Sequence, residues 1–163
     1  VIGGGFPVGA YGARNEIMNH VAPLGDMYQA GTLSGNPIAM ACGFETLTQL
    51  KKKNTYNKLE ESALFIEECL ITSAKKHNIA IKVNKFGSMI NPFFTENDVT
   101  NFATAQTSDT EKFKVFFWEM IKHGVFLPPS QFEAWFVSTA INNNDLQTLK
   151  KAIDAGMKAV SKL

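Results

Sequence analysis

The stretch from Gly31 to Pro37 constrains the fold of this chain most, because it joins a glycine-containing loop to the start of a helix. Asn36 is a preferred residue for capping a helix N-terminus, and Pro37 has the fixed φ that suits the first helical position. Apolar residues follow at once. The pattern therefore predicts a loop that ends at Asn36 and a helix that runs from Pro37 to about Lys52.

The same stretch has the chemistry to hold a phosphate. A helix start presents unpaired backbone N–H groups and the positive end of the helix dipole. The hydroxyls of Thr32 and Ser34 lie beside this one in the sequence. An ordinary capped helix has the same pattern and is far commoner. These residues alone leave both a phosphate site and a plain helix cap open.

Composition excludes several classes of protein. The chain has 163 residues, of which 45% are hydrophobic, and this is enough for a core in one domain or one and a half. Its 16 basic and 15 acidic residues are scattered and leave a net charge of +1, so we expect no nucleic-acid or anionic membrane partner. Cys42 and Cys69 lie far apart in apolar helical patterns, which favours buried free thiols and a cytoplasmic location.

The chain begins without methionine on a glycine-rich run, Gly3–Gly5, and we expect it to be a piece of a longer protein. Helical periodicity resumes after the polar break Lys51–Asn54, which we take as a domain boundary. The sequence thus predicts an α/β to α+β protein with one part at 1–53 and a small α+β domain at 54–163.

Local patterns predict the remaining elements. In the first part these are a short buried strand at Pro7–Tyr11 and a short helix at Arg14–His20. In the second part the predicted helices are Asn54–His77, Asn101–Gln106, a helix from a Ser108/Glu111 capping box to His123, and a last helix from about Asn144 onward. The predicted strands there are Ile79–Val83, Ser88–Thr95, Val125–Leu127 and Trp135–Thr139.

Few residues suggest catalysis. His20, His77 and His123 have no carboxylate or cysteine at a ligand spacing, so we expect surface or helix-capping roles and no metal site. The aromatic run at 116–118 favours core packing over base stacking. Glu133 lies in a proline-rich turn between apolar segments. It is either a surface charge or a carboxylate directed towards a site, and the pattern does not choose between them.

Longer strings in the chain resemble one family. The first 43 residues, which include YQAGTLSGNP at 28–37, are similar to the region just after the cofactor lysine in the glutamate-1-semialdehyde aminomutase family of pyridoxal-phosphate enzymes, which have the type I aminotransferase fold. The resemblance continues through GSM at 87–89, FFT at 93–95 and GVFLPPSQFEAWF at 124–136. It covers nearly the whole chain. Related omega-aminotransferases generally lack the combination of YQAGTLSGNP with PSQFEA.

The resemblance implies specific roles. The family's cofactor lysine would precede residue 1, so we expect no catalytic residue in this chain and no activity from it alone. Thr32, with the backbone of Gly31 beside it, would bind the phosphate of pyridoxal 5'-phosphate or pyridoxamine 5'-phosphate in the other subunit of a homodimer. Glu133 would lie near the substrate entrance. Trp135 stands where the family commonly has a smaller residue.

The implied activity is an intramolecular amino transfer that converts glutamate-1-semialdehyde to 5-aminolevulinate in tetrapyrrole synthesis. Residues 1–53 would then be the end of the cofactor-binding large domain, and 54–163 the small C-terminal domain. Two alternatives stay open. One is a related omega-aminotransferase that shares the fold and Thr32. The other is a C-terminal domain that serves only dimerisation or binding.

Overall fold

A computed structural model describes residues 2–163, so Val1 lies outside the described residues. The chain divides into two compact units, Val1–Thr55 and Tyr56–Leu163, which we call the N-terminal and C-terminal units. Their assignment to the large and small domains of the family, at 1–53 and 54–163, stays a prediction.

The N-terminal unit contains two helices, α1 (Asn15–Met18) and α2 (Pro37–Leu50). The expected helix start at Pro37 is confirmed, and α2 ends two residues earlier than predicted. The strand expected at Pro7–Tyr11 is wrong. These residues have no regular secondary structure and are mostly exposed, and among the described residues no strand pairs with them. A short apolar segment needs a neighbouring strand to satisfy its backbone, and the local pattern cannot reveal whether one exists.

The N-terminal unit buries little of its own apolar surface. Its buried residues are the small ones Gly3, Ala39 and Gly43. The large apolar side chains that remain exposed are Phe6, Tyr11, Ile17, Leu24, Met27, Tyr28, Leu33, Ile38, Met40, Phe44 and Leu47. This unit therefore presents apolar surface of the kind that proteins use for contacts with other protein segments.

The C-terminal unit is an α+β arrangement built around one sheet. Its helices are α3 (Thr55–Lys76), α4 (Phe102–Ala105), α5 (Thr110–Lys122) and α6 (Asn143–Val160). Its strands are β1 (Lys82–Phe86), β2 (Met89–Phe93) and β3 (Trp135–Phe136), which pair antiparallel in the order β1-β2-β3. Gly87 has a φ of +55° and begins the two-residue turn between β1 and β2, the position where such hairpins favour glycine.

The core of this unit lies between the inner face of the sheet and the three long helices. Inward-facing Ile90 and Trp135 from the sheet contact a cluster from α3, α5 and α6. The predicted inner positions of α3, which are Leu59, Ala63, Ile66 and Leu70, are all buried. In α6, Ile153, Met157 and Val160 are buried, while Leu146 and Leu149 are partly buried against the same cluster. The helical periodicity therefore predicted the core-facing sides correctly.

Two predicted strands are misplaced for the same reason. The N–H of Ile79 donates to the carbonyl of Ala74 at 2.9 Å, and the N–H of Val125 donates to Met120 at 3.0 Å. Both bonds complete the end of a helix, as in Schellman-type caps. Pairing therefore begins only at Lys82, and residues 125–127 form no strand. Residues 135–139 form a strand only at Trp135–Phe136.

The predicted helix cap at Ser108 is also wrong by one residue. Asp109 caps α5, and its Oδ1 accepts from the N–H groups of Glu111 and Lys112 at 3.1 and 3.0 Å. Ser108 is buried instead, and its hydroxyl has no partner in the described part of the chain. A serine and an adjacent aspartate are both good caps, so the sequence did not distinguish them.

A polar cluster joins α3 to α6. Asp154 Oδ1 accepts from Ser73 Oγ at 3.1 Å and lies 3.0 Å from His77 Nε2, and Lys76 Nζ contacts both carboxylate oxygens at 2.9 and 2.8 Å. The hydrogen bond from Lys76, followed by those from His77 and Ser73, lowers the pKa of Asp154 to about 2. A carboxylate held in this way stabilises the folded state only while it is ionised.

We expect Asp154→Asn to lower the free energy of unfolding by about 1 kcal/mol at pH 7, a value reduced for solvent screening because the carboxylate is 38% exposed. A lowered folded-state pKa gives stability that is present above about pH 4 and lost as the pH falls towards 2. The free energies of unfolding of the unaltered protein and of Asp154→Asn, measured by urea unfolding with circular dichroism, should therefore converge near pH 2. Asp98→Asn, at an exposed pair with Lys82, is the matched control and should change stability less. An equal difference at pH 7 and pH 2 would contradict this.

Gly156 provides a second test. A Cβ added there would lie 2.7 Å from the Phe116 ring, although alanine is a better helix former than glycine by about 1 kcal/mol. Because overpacking costs about 1–3 kcal/mol, we expect Gly156→Ala to destabilise the protein in urea unfolding. The same change in a Phe116→Leu background should cost less. If Gly156→Ala stabilised the protein, the close helix contact would be absent.

Candidate functional site

The 31–37 loop is a tight turn followed by a capped helix. The N–H of Ser34 donates to the carbonyl of Gly31 at 2.9 Å, and the N–H of Asn36 donates to Leu33 at 3.1 Å. Gly35 has a φ of +73°, in the left-handed region that favours glycine. A Cβ on Gly31 would lie only 2.8 Å from Ser34 Oγ, so a larger residue there would displace the Ser34 hydroxyl.

The helix start in this loop has no unpaired amides, contrary to the expectation from the sequence. Asn36 Oδ1 accepts from the N–H groups of Ile38 and Ala39, both at 3.1 Å, and the N–H of Met40 donates to the Asn36 carbonyl. Pro37 has no N–H to offer. The cap predicted at Asn36 is therefore confirmed, and this cap occupies the donors that a phosphate would otherwise use.

The donors left for an anion lie in the loop itself. The amides of Thr32, Leu33 and Gly35 donate to no acceptor among the described residues, and the same holds for the hydroxyls of Thr32 and Ser34. The whole segment from Gly31 to Ser34 is exposed. These groups fit a phosphate, because several neutral donors are available on one short turn and no carboxylate lies within it.

Glu133 lies in a turn between the end of α5 and β3. Its N–H donates to the carbonyl of Ser130 at 3.2 Å, and Ser130 Oγ accepts from the N–H of Phe132 at 3.2 Å. The Glu133 side chain is exposed. The structure therefore agrees with a carboxylate that is open to solvent and held on an ordered turn.

A largely apolar cavity of about 660 Å³ lies beside this turn, within the C-terminal unit. Its carboxylates are Glu133 and Asp145, and Trp135 forms part of its wall. The Trp135 ring is parallel to the buried ring of Phe116, with centroids 6.4 Å apart and an interplanar angle of 8°. The large residue at position 135 is thus a core residue that also shapes the cavity.

Gln131 is a residue that sequence reasoning missed. It is only 3% exposed, and its Nε2 donates to the carbonyl of Pro92 in β2 at 2.6 Å. A glutamine in a proline-rich turn is usually a surface residue. Its burial depends on a partner 39 residues away, so the local sequence gave no signal for it.

The predicted site residues fall into both units. Gly31 and Thr32 lie together in the N-terminal unit, and Glu133 lies in the C-terminal unit. Their roles stay predictions. Among the histidines, His77 contacts Asp154, and His123 Nδ1 lies 2.9 Å from the Glu119 carbonyl, at the end of α5.

The cysteines and possible metal ligands suggest no second site. Both cysteines are free: Cys69 is buried as predicted, and this burial raises the pKa of its thiol, while Cys42 is only partly buried. Within residues 2–163, no group of three or more His, Cys, Asp or Glu side chains could hold a metal. No described helix has the length and apolarity to cross a membrane.

Comparison with protein families assigns the chain. The model for "Aminotransferase class-III" matches residues 1–158. The chain belongs to the class-III aminotransferase family. Its Gly31–Thr32 turn and its Glu133 turn therefore lie in a class-III aminotransferase sequence, and the fold expected from the sequence is confirmed.

Named relatives in this family share half of the chain's residues. The glutamate-1-semialdehyde 2,1-aminomutase of Sulfurihydrogenibium azorense is 56% identical over 153 residues, which cover 93% of this chain and 36% of the relative. The enzyme of that name from Thermodesulfovibrio yellowstonii is 52% identical over 163 residues, 100% of this chain and 38% of the relative. The chain spans less than two fifths of the length of these relatives.

Solved structures of a transaminase and of an aminomutase are similar to the chain. An omega-transaminase from Sphaerobacter thermophilus gives a TM-score of 0.85 at 21% identity, over 98% of this chain and 37% of the other. A glutamate-1-semialdehyde aminomutase from Pseudomonas aeruginosa PAO1, in complex with PMP, gives a TM-score of 0.70 at 16% identity, over 80% and 29% of the two chains. At these identities the likeness establishes the fold.

Proposed function

We propose that this chain is part of a glutamate-1-semialdehyde 2,1-aminomutase, which converts glutamate-1-semialdehyde to 5-aminolevulinate, a precursor of tetrapyrroles such as haem. The observation that carries the proposal is the identity of 52% to 56% with proteins of that name over at least 93% of the chain. The substrate is glutamate-1-semialdehyde, and the amino group moves between two carbons of one molecule.

The 31–37 loop is proposed to hold the phosphate of pyridoxal 5'-phosphate or pyridoxamine 5'-phosphate. Thr32 would donate its hydroxyl and N–H, and the Leu33 and Gly35 amides are further donors because they have no other acceptor in the described chain. The close approach of Gly31 to Ser34 keeps the turn tight. When bound, the cofactor's pyridine ring stabilises negative charge on the reacting carbon.

Glu133 is proposed to orient the substrate. Its carboxylate is exposed beside an apolar cavity, and a negative charge there repels the substrate carboxylate from that end of the pocket. This contribution acts on binding orientation and needs no proton transfer by Glu133.

We further propose a homodimer in the cytoplasm. The exposed apolar side chains of the N-terminal unit, such as Phe44 and Leu47 on α2, are available for contact with other protein surface, as a homodimer requires. Two free cysteines support a reducing compartment.

An omega-aminotransferase is the second candidate, because the Sphaerobacter thermophilus omega-transaminase has a very similar fold. The two differ in chemistry that can be measured. An aminotransferase needs a separate amine donor and keto acceptor, whereas the aminomutase needs only its one substrate.

The full-length protein that carries this sequence should form 5-aminolevulinate from glutamate-1-semialdehyde without any added keto acid, well above the spontaneous rate. The measurement is a product assay on the folded, cofactor-loaded protein. Its control is the same protein supplied with an amine donor and a keto acid. Transamination of the added pair with no 5-aminolevulinate would overturn the proposal in favour of the second candidate.

Thr32→Val should weaken binding of pyridoxal 5'-phosphate about tenfold, because it removes one hydrogen bond to a charged group and keeps the side-chain shape. The measurement is an absorbance titration of the cofactor-free, full-length protein. Thr48→Val is the matched control, because the Thr48 hydroxyl donates to the Phe44 carbonyl within α2. Equal affinities for the Thr32 variant and the unaltered protein would remove Thr32 from the phosphate site.

A further inference from the structure

Gln131 is a buried polar side chain with one specific partner. Its Nε2 donates to the carbonyl of Pro92 at 2.6 Å, across 39 residues of sequence, and the residue is almost fully enclosed. Its Oε1 has no partner among the described residues. Burying an amide oxygen without a partner costs folding free energy. The burial of Gln131 therefore calls for an explanation, which its one hydrogen bond can provide.

The Pro92 carbonyl needs this donor because β3 ends early. The register pairs Ile90 with Trp135, so a longer antiparallel β3 would bring Glu133 opposite Pro92. In the β1–β2 hairpin, hydrogen-bonded and non-hydrogen-bonded pairs alternate, starting from the hydrogen-bonded pair Phe86–Met89 next to the turn. By this alternation the pair Val83–Pro92 exchanges no hydrogen bonds. The Pro92 carbonyl therefore points to the side where β3 is missing, and the Gln131 amide replaces the absent strand.

The Gln131–Pro92 hydrogen bond lies where the chain passes from the turn that carries Glu133 into the sheet. The chain leaves the sheet immediately before Trp135, and the turn bonds at Ser130 hold residues 130–133 in a bend instead of a strand. Without the Gln131 amide, the buried Pro92 carbonyl would need another donor, and an extended β3 would supply the N–H of Glu133. That extension would place Glu133 in the sheet and remove it from its exposed position beside the cavity.

We propose that Gln131 is a positioning residue for Glu133. Its side-chain amide donates to the Pro92 carbonyl in place of the Glu133 N–H, and this keeps the Glu133 carboxylate exposed at the cavity. The inference rests on the proposed function, since the orientation of substrate by Glu133 is part of that function. Gln131 would act only through the turn and not through contact with the substrate.

The test is a double-mutant cycle in the full-length, cofactor-loaded protein. Gln131→Met keeps the side-chain volume and removes the donor, and Glu133→Gln removes the charge. We expect each single change to lower kcat/KM for glutamate-1-semialdehyde about tenfold, mainly through KM, because both act on substrate orientation. The double variant should be no worse than Glu133→Gln alone, because Gln131 acts through Glu133.

The controls separate positioning from general stability. Gln147→Met makes the same chemical change at an exposed position on α6 and should leave kcat/KM unchanged. Gln131→Leu also lacks a donor for the Pro92 carbonyl, so it should repeat the result of Gln131→Met. It replaces Gln131→Met in the cycle if the methionine variant does not fold.

The outcomes are distinct. If the losses of kcat/KM in the two single variants multiplied in the double variant, the positioning role would be overturned and the proposed function would stay intact. A Gln131 variant with a lower melting temperature and an unchanged KM would lead to the same conclusion. An unaltered protein that forms no 5-aminolevulinate would instead overturn the proposed function. Amide hydrogen exchange of residues 130–134 then still tests the anchor. The exchange rates there should change in Gln131→Met, because the turn bonds are lost or replaced by sheet bonds, and should not change in Gln147→Met. Unchanged rates in Gln131→Met would refute the anchor itself.

Discussion

The packing of Phe116 is the interaction on which the C-terminal unit depends. Its ring is fully buried, lies edge-on to Phe94 with centroids 5.6 Å apart, is parallel to Trp135 and meets the backbone of α6 at Gly156. One side chain on α5 thus contacts the sheet, the segment that follows β2 and the opposing helix. Aromatic pairs of this kind contribute energy beyond the area they bury, and the glycine allows the two helices to approach closely.

Polar contacts then fix the parts that apolar packing leaves free. The Asp154 cluster joins the end of α3 to α6, and Gln131 joins the turn before β3 to β2. Each is a directional bond between segments that are distant in sequence. Such bonds add modest stability, but they select one arrangement among several with similar apolar burial. The candidate site residue Glu133 is positioned by one of these bonds.

The helices and their buried faces could be predicted from the sequence, because a helix has its own period and its own capping signals. The boundaries of α2 and α3 and the inward side of α6 follow from such local rules. The strands were harder. Ile79 and Val125 follow the helices, and their N–H groups complete the helix ends, so an apolar pattern there did not predict pairing. Gln131 could not be found from the sequence, because its partner is 39 residues away.

The cap on α2 also has a thermodynamic consequence. Asn36 and Pro37 complete the start of the helix with groups of the chain itself, so the helix does not depend on a bound anion. The loop amides of Thr32, Leu33 and Gly35 are thereby left on a turn whose conformational entropy was lost during folding. A preorganised turn of this kind pays little additional entropy when it binds a ligand. Release of that ligand would leave the helix intact, and each protein molecule could bind a new one without refolding the segment.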